Sequence, residues 1–317
     1  MVEGAVLEDS LLRLPPIEEP RPARDDDRAP AAIRFFGIPS QSLRGQPGEL
    51  SRLDSQLNLG YPLYIEPTGK SIWLALVGLE NIQLGGDAWL PDTGVPLPDE
   101  LWKLTVGTLH RRELDSGAEV GFLLNFGSAA DRPFDRGRDL MLTGVGFYNV
   151  PSGPRDAWKF SLFYSTTSQL PFPLPGIAYA WRPSEQFSVD LGVPFALRYT
   201  PNDAFRLTAA YRPLTDVVVR AEFDWSDYWG CYASYQMTTD TFWLSERENA
   251  SDRLYLFDQR LALGISRSLP LGFRLDAAAS YVFDRRIFQG DSFFSDRRDV
   301  IGIDPGLGFG LTLLWTR

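Results

Sequence analysis

The chain has 317 residues and a formal net charge of −10, and it contains one Cys and one His. A single cysteine rules out a disulfide scaffold, and these two residues cannot supply the four ligands of a structural zinc site. The acidic balance is unsuited to general nucleic-acid binding, because affinity for phosphate depends on Lys and Arg. With 44% hydrophobic and 13% aromatic residues, the composition is that of a folded chain.

The first segment, residues 1–32, is predicted to be a disordered, acidic, Pro-rich arm. Residues 1–30 hold four Arg, eight Asp or Glu and five Pro, and such a composition cannot bury a core. The segment also has no basic start followed by an apolar stretch, so no export signal is predicted in this sequence. The remaining residues, 33–317, are predicted to form a single domain.

From about residue 51 onward, apolar and polar residues alternate with period two. Such alternation predicts β-strands, because successive side chains of a strand point to opposite faces. The longest run extends from Phe187 to Tyr199 and is predicted as one strand. The candidate strands are 51–64, 70–84, 101–112, 117–127, 138–149, 157–167, 176–182, 186–199, 204–212, 216–226, 228–239, 254–268, 271–284 and 305–315. We expect an antiparallel barrel of about 12 strands, with 14 as the alternative, since single-chain membrane barrels have even counts.

The connections between these strands differ in length. Four Gly-, Pro- and Asp-rich stretches are predicted as outer loops: 85–100, 127–137, 240–253 and 285–304. Two short connections, 183–186 and 213–216, are predicted as inner turns. Short connections favour antiparallel neighbours joined as hairpins.

The apolar face of the strands could point into a soluble sandwich or outward into lipid. The length of the runs and the aromatic residues at their ends favour lipid, because Trp and Tyr concentrate at membrane interfaces. The predicted transmembrane barrel therefore carries an aromatic girdle of Trp158, Tyr164, Trp181, Tyr199, Tyr211, Trp225, Tyr281 and Trp315.

Three strand ends share an aromatic-x-Pro pattern, at 181–183, 199–201 and 211–213, and the chain closes with GLGFGLTLLWTR. With the alternating strands, these features resemble an uncharacterised family of bacterial outer-membrane β-barrels. The resemblance implies an outer-membrane location, contact with outer-membrane lipids, and insertion by the barrel-assembly machinery through the C-terminal strand. It implies no activity. The family's last strand usually ends in Phe or Trp, whereas here two residues follow Trp315.

Charged residues occupy the opposite, inward face of several consecutive strands. The predicted lumen-facing ring consists of Asp190, Arg198, Arg206, Arg212, Arg220, Glu222, Asp224, Arg274 and Asp276. In a wide barrel such a ring lines a pore and sets ion preference. In a narrow barrel it cross-links the lumen shut, and the sequence leaves both possibilities open.

Candidate catalytic and metal-binding residues are sparse. His110 has no adjacent serine and is interpreted as an interfacial residue at a strand end. The acidic residues of 291–304 match no calcium-loop spacing and are interpreted as part of a solvated loop, while Cys231 is interpreted as a packing residue. The sequence thus predicts no enzyme, cofactor or metal. It favours porin-like passage of small solutes; the alternatives are a non-conducting structural or surface-binding barrel and an outer-membrane hydrolase.

Overall fold

The computed structural model describes residues 31–168, 170, 172–211, 216–246, 249, 251–294 and 296–315. These residues form antiparallel β-strands, with two short 3-10 turns at Gly137–Asp139 and Pro270–Gly272. The strands are β1 (Ala31–Arg44), β2 (Glu49–Ile65), β3 (Ser71–Gly86), β4 (Glu100–Glu113), β5 (Glu119–Ala130), β6 (Leu140–Pro151), β7 (Ala157–Ser165), β8 (Leu174–Trp181), β9 (Phe187–Gly192), β10 (Phe195–Asn202), β11 (Phe205–Tyr211), β12 (Val217–Asp224), β13 (Trp229–Phe242), β14 (Arg253–Ser268), β15 (Phe273–Gly290), β16 (Arg298–Ile303) and β17 (Gly306–Trp315).

The sheet closes on itself into a barrel. Each strand from β1 to β15 pairs with the next, and β17 pairs with both β15 and β1. The short β16 pairs with the same two neighbours in the same register, so β16 and β17 lie end to end in one position. Among the described residues, seventeen strand segments therefore fill sixteen positions around the barrel. Closure leaves no long strand edge exposed.

The two ends of the barrel differ. At one end, the turn end, the connections are short: 66–70, 114–118, 152–156, 182–186, 203–204, 225–228 and 269–272. The opposite end, the loop end, carries 45–48, 87–99, 131–139, 166–173, 193–194, 212–216, 243–252 and 291–297. The four stretches predicted as outer loops all lie at the loop end. The connection predicted as an inner turn at 213–216 lies, apart from Asp216, outside the described residues.

The apolar face of the strands points outward. In β14, Leu261, Leu263 and Ile265 are exposed, and Leu263 retains 70% of its accessible surface. The alternate residues of the same strand face the interior, where Asp258 and Ser266 are buried. The strands therefore expose their apolar face. In a soluble sandwich that face would be packed in the core.

The predicted strand count of about 12, or 14, is wrong for two local reasons. The predicted arm 1–32 overlaps β1, which begins at Ala31 and was missed as a strand. The long run 186–199 is two strands, β9 and β10, joined by a tight turn at Val193 and Pro194. A two-residue turn keeps the period-two alternation in phase, so the sequence pattern runs through it unbroken.

Buried apolar packing is concentrated inside the barrel at the loop end. We call this cluster the cap, and it comprises Leu43, Leu50, Ile82, Leu84, Ala88, Leu90, Leu97, Leu101, Ala129, Met141, Phe242, Leu244, Leu254, Leu256, Ile287, Ile301 and Ile303. Its members come from β1 to β6, from β13 to β16 and from the loops 87–99 and 243–252. Side chains therefore fill the mouth of the barrel on this side.

Candidate functional site: the barrel lumen

Five charged side chains of the predicted ring form one ion-pair network on the inner wall. Glu222 on β12 accepts from Arg220 at 2.8 Å and from Arg206 at 3.1 Å. Arg274 on β15 donates to Glu222 at 3.2 Å and to Asp276 at 3.0 Å. Arg220 also reaches Asp276 at 3.2 Å. The network joins β11, β12 and β15 across the inner surface of two intervening strands.

Local packing explains how Arg220 spans that distance. Its guanidinium lies 3.6 Å from the ring centroid of Tyr232, on the adjacent strand β13. The Tyr232 ring in turn lies against Gly264 of β14, where a Cβ atom would overlap it. Glycine at this position leaves room for the ring, which supports the guanidinium by a cation–π contact.

The other described members of the predicted ring lie on β9, on β10 and at the end of β12. Asp190 on β9 accepts from Lys159 of β7 at 2.6 Å, in a separate pair. Arg198 occupies an inward position on β10, opposite Ser188 and Thr208. Asp224 ends β12 opposite Gly230. The predicted Arg212 lies outside the described residues.

A second network was missed by the sequence analysis. Arg52 on β2 donates to Asp54 at 2.6 Å, to Asp240 at 2.9 Å and to Asp258 at 3.2 Å. Arg260 pairs with Asp258 at 2.6 Å and with Asp54 at 3.7 Å. The Arg52 side chain keeps only 6% of its exposure. We call these five residues the upper network, because they lie next to the cap.

The upper network links strands that are distant in sequence. Arg52 and Asp258 are separated by 206 positions in the chain. Sequence alternation places each side chain on the inner face but does not indicate which strands approach each other inside. Burying charges is costly unless they are paired and hydrogen-bonded, and here each arginine meets at least two carboxylates.

The inner wall is not polar all the way round. On the side formed by β3 to β7, the inward residues Leu76, Leu123 and Val145 are buried and pack with Leu74, Leu109 and Phe163. The same side also carries inward charged pairs, Lys103 with Glu80 at 3.6 Å and Arg111 with Glu119 at 3.0 Å. The inner wall therefore has charged pairs on both sides of the lumen, with an apolar patch on β3 to β7.

The loop 87–99 is held over the lumen by a buried carboxylate. Asp299 of β16 is 1% exposed and accepts from the backbone N–H of Asp92 at 2.7 Å and of Thr93 at 3.0 Å. Gln289 donates to the same carboxylate at 2.9 Å, and the Asp299 N–H donates back to the Asp92 carboxylate at 2.6 Å. We call these contacts the latch. Asp299 was interpreted as part of a solvated loop, and that interpretation is wrong.

Further contacts connect opposite walls at the loop end. Ala130, at the end of β5, forms a parallel β-bridge with Trp243, which follows β13. Asp131 accepts from the backbone N–H of Ser245 at 2.8 Å and from its hydroxyl at 2.5 Å. β5 and β13 are half-way round the barrel from each other. Opposite walls of the barrel are therefore in contact at this end, and the cap packs in the mouth beside this contact.

The residues of the predicted girdle occupy outward positions. Trp158, Trp181, Tyr199, Trp225 and Trp315 lie towards the turn end, and Tyr164, Tyr211 and Tyr281 lie towards the loop end. Aromatic neighbours continue the row near the turn end, with ring centroids 5.0 Å apart for Trp158 and Tyr179 and 6.2 Å apart for Phe187 and Tyr199.

The structure places a serine beside the single histidine, which the spacing of the sequence does not indicate. His110 points outward on β4, with its ring 4.7 Å from that of Trp73 and 5.6 Å from that of Phe122. Its Nε2 lies 3.4 Å from the Ser71 hydroxyl. Cys231 is a free thiol on the outward face of β13. The described residues contain no metal-ligand cluster and no helix long and apolar enough to span a membrane.

No family model matches the sequence, and no curated protein matches it. Among solved structures, the chain is similar to an outer-membrane channel from Pseudomonas putida F1, with 10% identity over 94% of this chain and 100% of that one, at a TM-score of 0.39. It is also similar to the TodX monoaromatic hydrocarbon channel, with 10% identity over 93% and 90% and a TM-score of 0.42. OccK7 of Pseudomonas aeruginosa gives 9% identity over 93% and 99% and a TM-score of 0.38. The function is therefore argued below from the residues of this chain.

Proposed function

We propose that the chain is an integral β-barrel of the bacterial outer membrane that passes small polar solutes when its loop end opens. The observation that carries the proposal is a closed barrel whose strands expose an apolar face outward, while several of them carry paired charges on the inner face. No catalytic role is proposed for any residue.

The membrane assignment rests on the outward belt. Leu263 on β14, Val106 on β4 and Phe309 on β17 are each more than half exposed, on strands spread around the barrel. An exposed apolar surface of this extent is unfavourable in water and favourable in lipid. The closed hydrogen-bond ladder meets the other requirement of a membrane-spanning sheet, since unpaired backbone groups are costly in the hydrocarbon region. We infer that outer-membrane lipids cover the belt and that the assembly machinery engages the C-terminal strand β17.

The passage proposal rests on the inward charged pairs and on the way the mouth is closed. Charges of both signs run along the inner surface from Arg274, near the turn end, to the upper network below the cap. The cap depends in part on Ala88, Leu90 and Leu97, which belong to a loop and not to the wall. The loop 87–99 can move out of the mouth without breaking the backbone hydrogen bonds between the strands of the barrel. Solute passage is therefore coupled to undocking of the loop 87–99.

Planar-bilayer recording tests this proposal. The test variant replaces residues 88–98 with two glycines, which is sterically allowed because Gln83 and Glu100 already pair as hairpin neighbours. The matched control replaces 132–138 in the neighbouring loop, which contributes no side chain to the cap. We expect rare, brief conductance steps for the wild type and the control, and long-lived steps for the test variant. All three proteins must first show the heat-dependent gel shift of a folded barrel.

A second candidate function is a barrel that never conducts. It is favoured by the bridge between Ala130 and Trp243, which joins opposite walls without help from the loop 87–99. If the folded, loop-shortened variant stays silent in the bilayer, the passage proposal is overturned and this second candidate replaces it.

A further inference from the structure

The wall of the barrel is interrupted between β1 and β17. Paired residues extend along these strands as far as Gly37 and Phe309, and pairing resumes only at Leu43 and Ile303. By contrast, β3 and β4 pair without interruption from Gln83–Glu100 to Ser71–Arg112. We call the unpaired stretch, 38–42 facing 304–308, the window.

Proline on each strand accounts for the interruption. Pro39 and Pro305 have no backbone N–H, so neither can donate to the ladder. On its other side β1 also shifts register against β2, between Ile38 and Gln41. A backbone hydrogen bond from the Asp304 N–H to the Ser42 carbonyl, at 3.0 Å, lies at the loop-end edge of the window. The backbone therefore leaves a weak point in an otherwise closed wall.

A side chain lies where the ladder is missing. The Gln41 amide packs on the inner side of Gly306, where a Cβ atom would overlap it. The same amide donates to the Pro39 carbonyl at 3.3 Å. Side chains change rotamer far more readily than ladder bonds break, so the window is closed by a movable group.

An open groove, which we call the cavity and whose volume is about 680 Å³, lies on the lipid side beside the window. Towards the middle of the belt it is lined by Gly37, Leu53 and Phe309. Towards the loop end it is lined by Ser51, Gln83 and Glu100. This volume is in the range that holds small ligands, and the lining changes from apolar to polar along the strand direction.

We propose that this cavity is a lateral binding site for a small amphipathic molecule drawn from the bilayer, with Gln41 as the gate between the site and the lumen. The apolar part of the ligand lies between Leu53 and Phe309, and its polar end points towards the loop end. That end carries the carboxylates of Asp99 and Glu100, which favour a neutral or cationic group and repel an anion. The inference rests on the proposed membrane location.

The site would give a ligand a route into the lumen that does not pass through the mouth of the barrel. The cap closes the loop end, whereas the window lies beside Arg52 and Ile38, below the cap. Arg52 borders the cavity between the outward residues Ser51 and Leu53, but its side chain is buried in the upper network on the inner face. A ligand moving inward through the window would therefore meet paired charges. A polar end that forms hydrogen bonds can compete for those groups, while a purely apolar molecule cannot.

Binding is measured with N-phenyl-naphthylamine, a neutral aromatic amine whose emission rises in apolar surroundings, excited directly in nanodiscs that contain the folded barrel. We expect a saturable component of one probe per barrel, above partition into empty nanodiscs. The Leu53→Trp variant fills the cavity and should weaken this component at least tenfold. Leu57→Trp is the matched control, because Leu57 is also an outward residue of β2 but does not line the cavity. The anionic probe anilinonaphthalene sulfonate should bind more weakly than the neutral one.

The gate is tested by labelling in a Cys231→Ser background. A maleimide attached to a lipid headgroup in the nanodisc should label Gln41→Cys, and the neutral probe should slow that labelling. Gln56→Cys, an inward residue of β2 behind a continuous ladder, should stay unlabelled until the protein is unfolded, and Leu57→Cys should label at once.

The outcomes separate this inference from the proposed function. A barrel that does not insert into nanodiscs overturns both. An inserted, heat-shifted barrel overturns only the lateral site if it lacks a saturable component, or if it binds the probe equally well with Leu53→Trp. Efficient binding without labelling of Gln41→Cys overturns the gate.

Discussion

Removing the carboxylate of the latch is expected to release the loop 87–99 from the mouth of the barrel. In Asp299→Ala, the backbone N–H groups of Asp92 and Thr93 and the Gln289 amide lose their common acceptor. The loop keeps the packing of Leu90 and Leu97 in the cap. The variant therefore weakens docking of the loop without removing the apolar residues that fill the mouth.

The size of the effect follows from the hydrogen bonds that are lost. A hydrogen bond to a charged group contributes about 1.5–3 kcal/mol. Four donors, these three and the Thr93 hydroxyl at 3.2 Å, act on one carboxylate, so their contributions are not additive. The undocked loop can satisfy its N–H groups with water, which limits the net loss to about 3 kcal/mol. At ~1.4 kcal/mol per tenfold change, the ratio of undocked to docked loop rises roughly a hundredfold.

Two measurements check this expectation. Amide hydrogen exchange at positions 92 and 93, in the folded barrel, should accelerate roughly a hundredfold, and the open probability in planar bilayers should rise with it. Asp304→Ala is the matched control, because its carboxylate also forms an ion pair near β16, with Arg44 at 2.7 Å, but the two side chains are 47% and 60% exposed. Exposed pairs contribute little. Unchanged exchange at 92 and 93 in Asp299→Ala would refute the latch, and accelerated exchange without increased conductance would refute its coupling to passage.

Three further predictions concern the rest of the barrel. Arg220→Ala should lower the free energy of unfolding by about 2 kcal/mol, measured by urea in detergent micelles, because Glu222 and Asp276 lose a partner that is only partly exposed. Leu263→Arg should cost about 2–4 kcal/mol in a bilayer, and Leu271→Arg at the exposed turn end should cost almost nothing; equal costs would contradict the placement of the belt. His110→Ala should leave lipase and protease assays unchanged, and a loss of either activity would reopen the hydrolase alternative.

The sequence predicts a strand well where one face is apolar and the other is mostly polar along its whole length. The segment predicted at 157–167 corresponds to β7, and that at 305–315 corresponds to β17. In both, the outward side is apolar and most inward residues are small or polar, with Phe163 and Leu314 as exceptions. Period two can therefore be recognised from the sequence alone. The barrel class follows from this repeated pattern.

The strand number could not be predicted, because it depends on where the chain reverses. Val193 and Pro194 reverse it in two residues, and an even number of turn residues leaves the apolar phase unchanged on both sides. β1 was missed for a different reason. Its alternation is short and contains Pro39, which also interrupts the ladder and so belongs to the structure of the window.

The sequence predicts which charged residues point inward, but it does not predict which of them form ion pairs. Arg220 and Glu222 are two residues apart on one strand, and their pairing follows from local geometry. Arg52 and Asp258 are brought together only by closure of the barrel, because β2 and β14 approach each other through the curvature of the wall. The spacing of residues in the sequence does not indicate that Arg52 and Asp258 lie close together.

The cap does leave a signal in the sequence, and it bears on function. At the loop end of β14 the residues 254–257 read LYLF, with apolar side chains on both faces, and Ile287 and Phe288 repeat this on β15. A strand with a hydrated lumen on one side has no reason to place Leu254 and Leu256 there, because each would expose apolar surface to water. Two-sided apolar strand ends therefore indicate a mouth that is packed shut at rest. Passage through the cap therefore requires displacement of the loop 87–99, whereas a route through the wall below it avoids the cap.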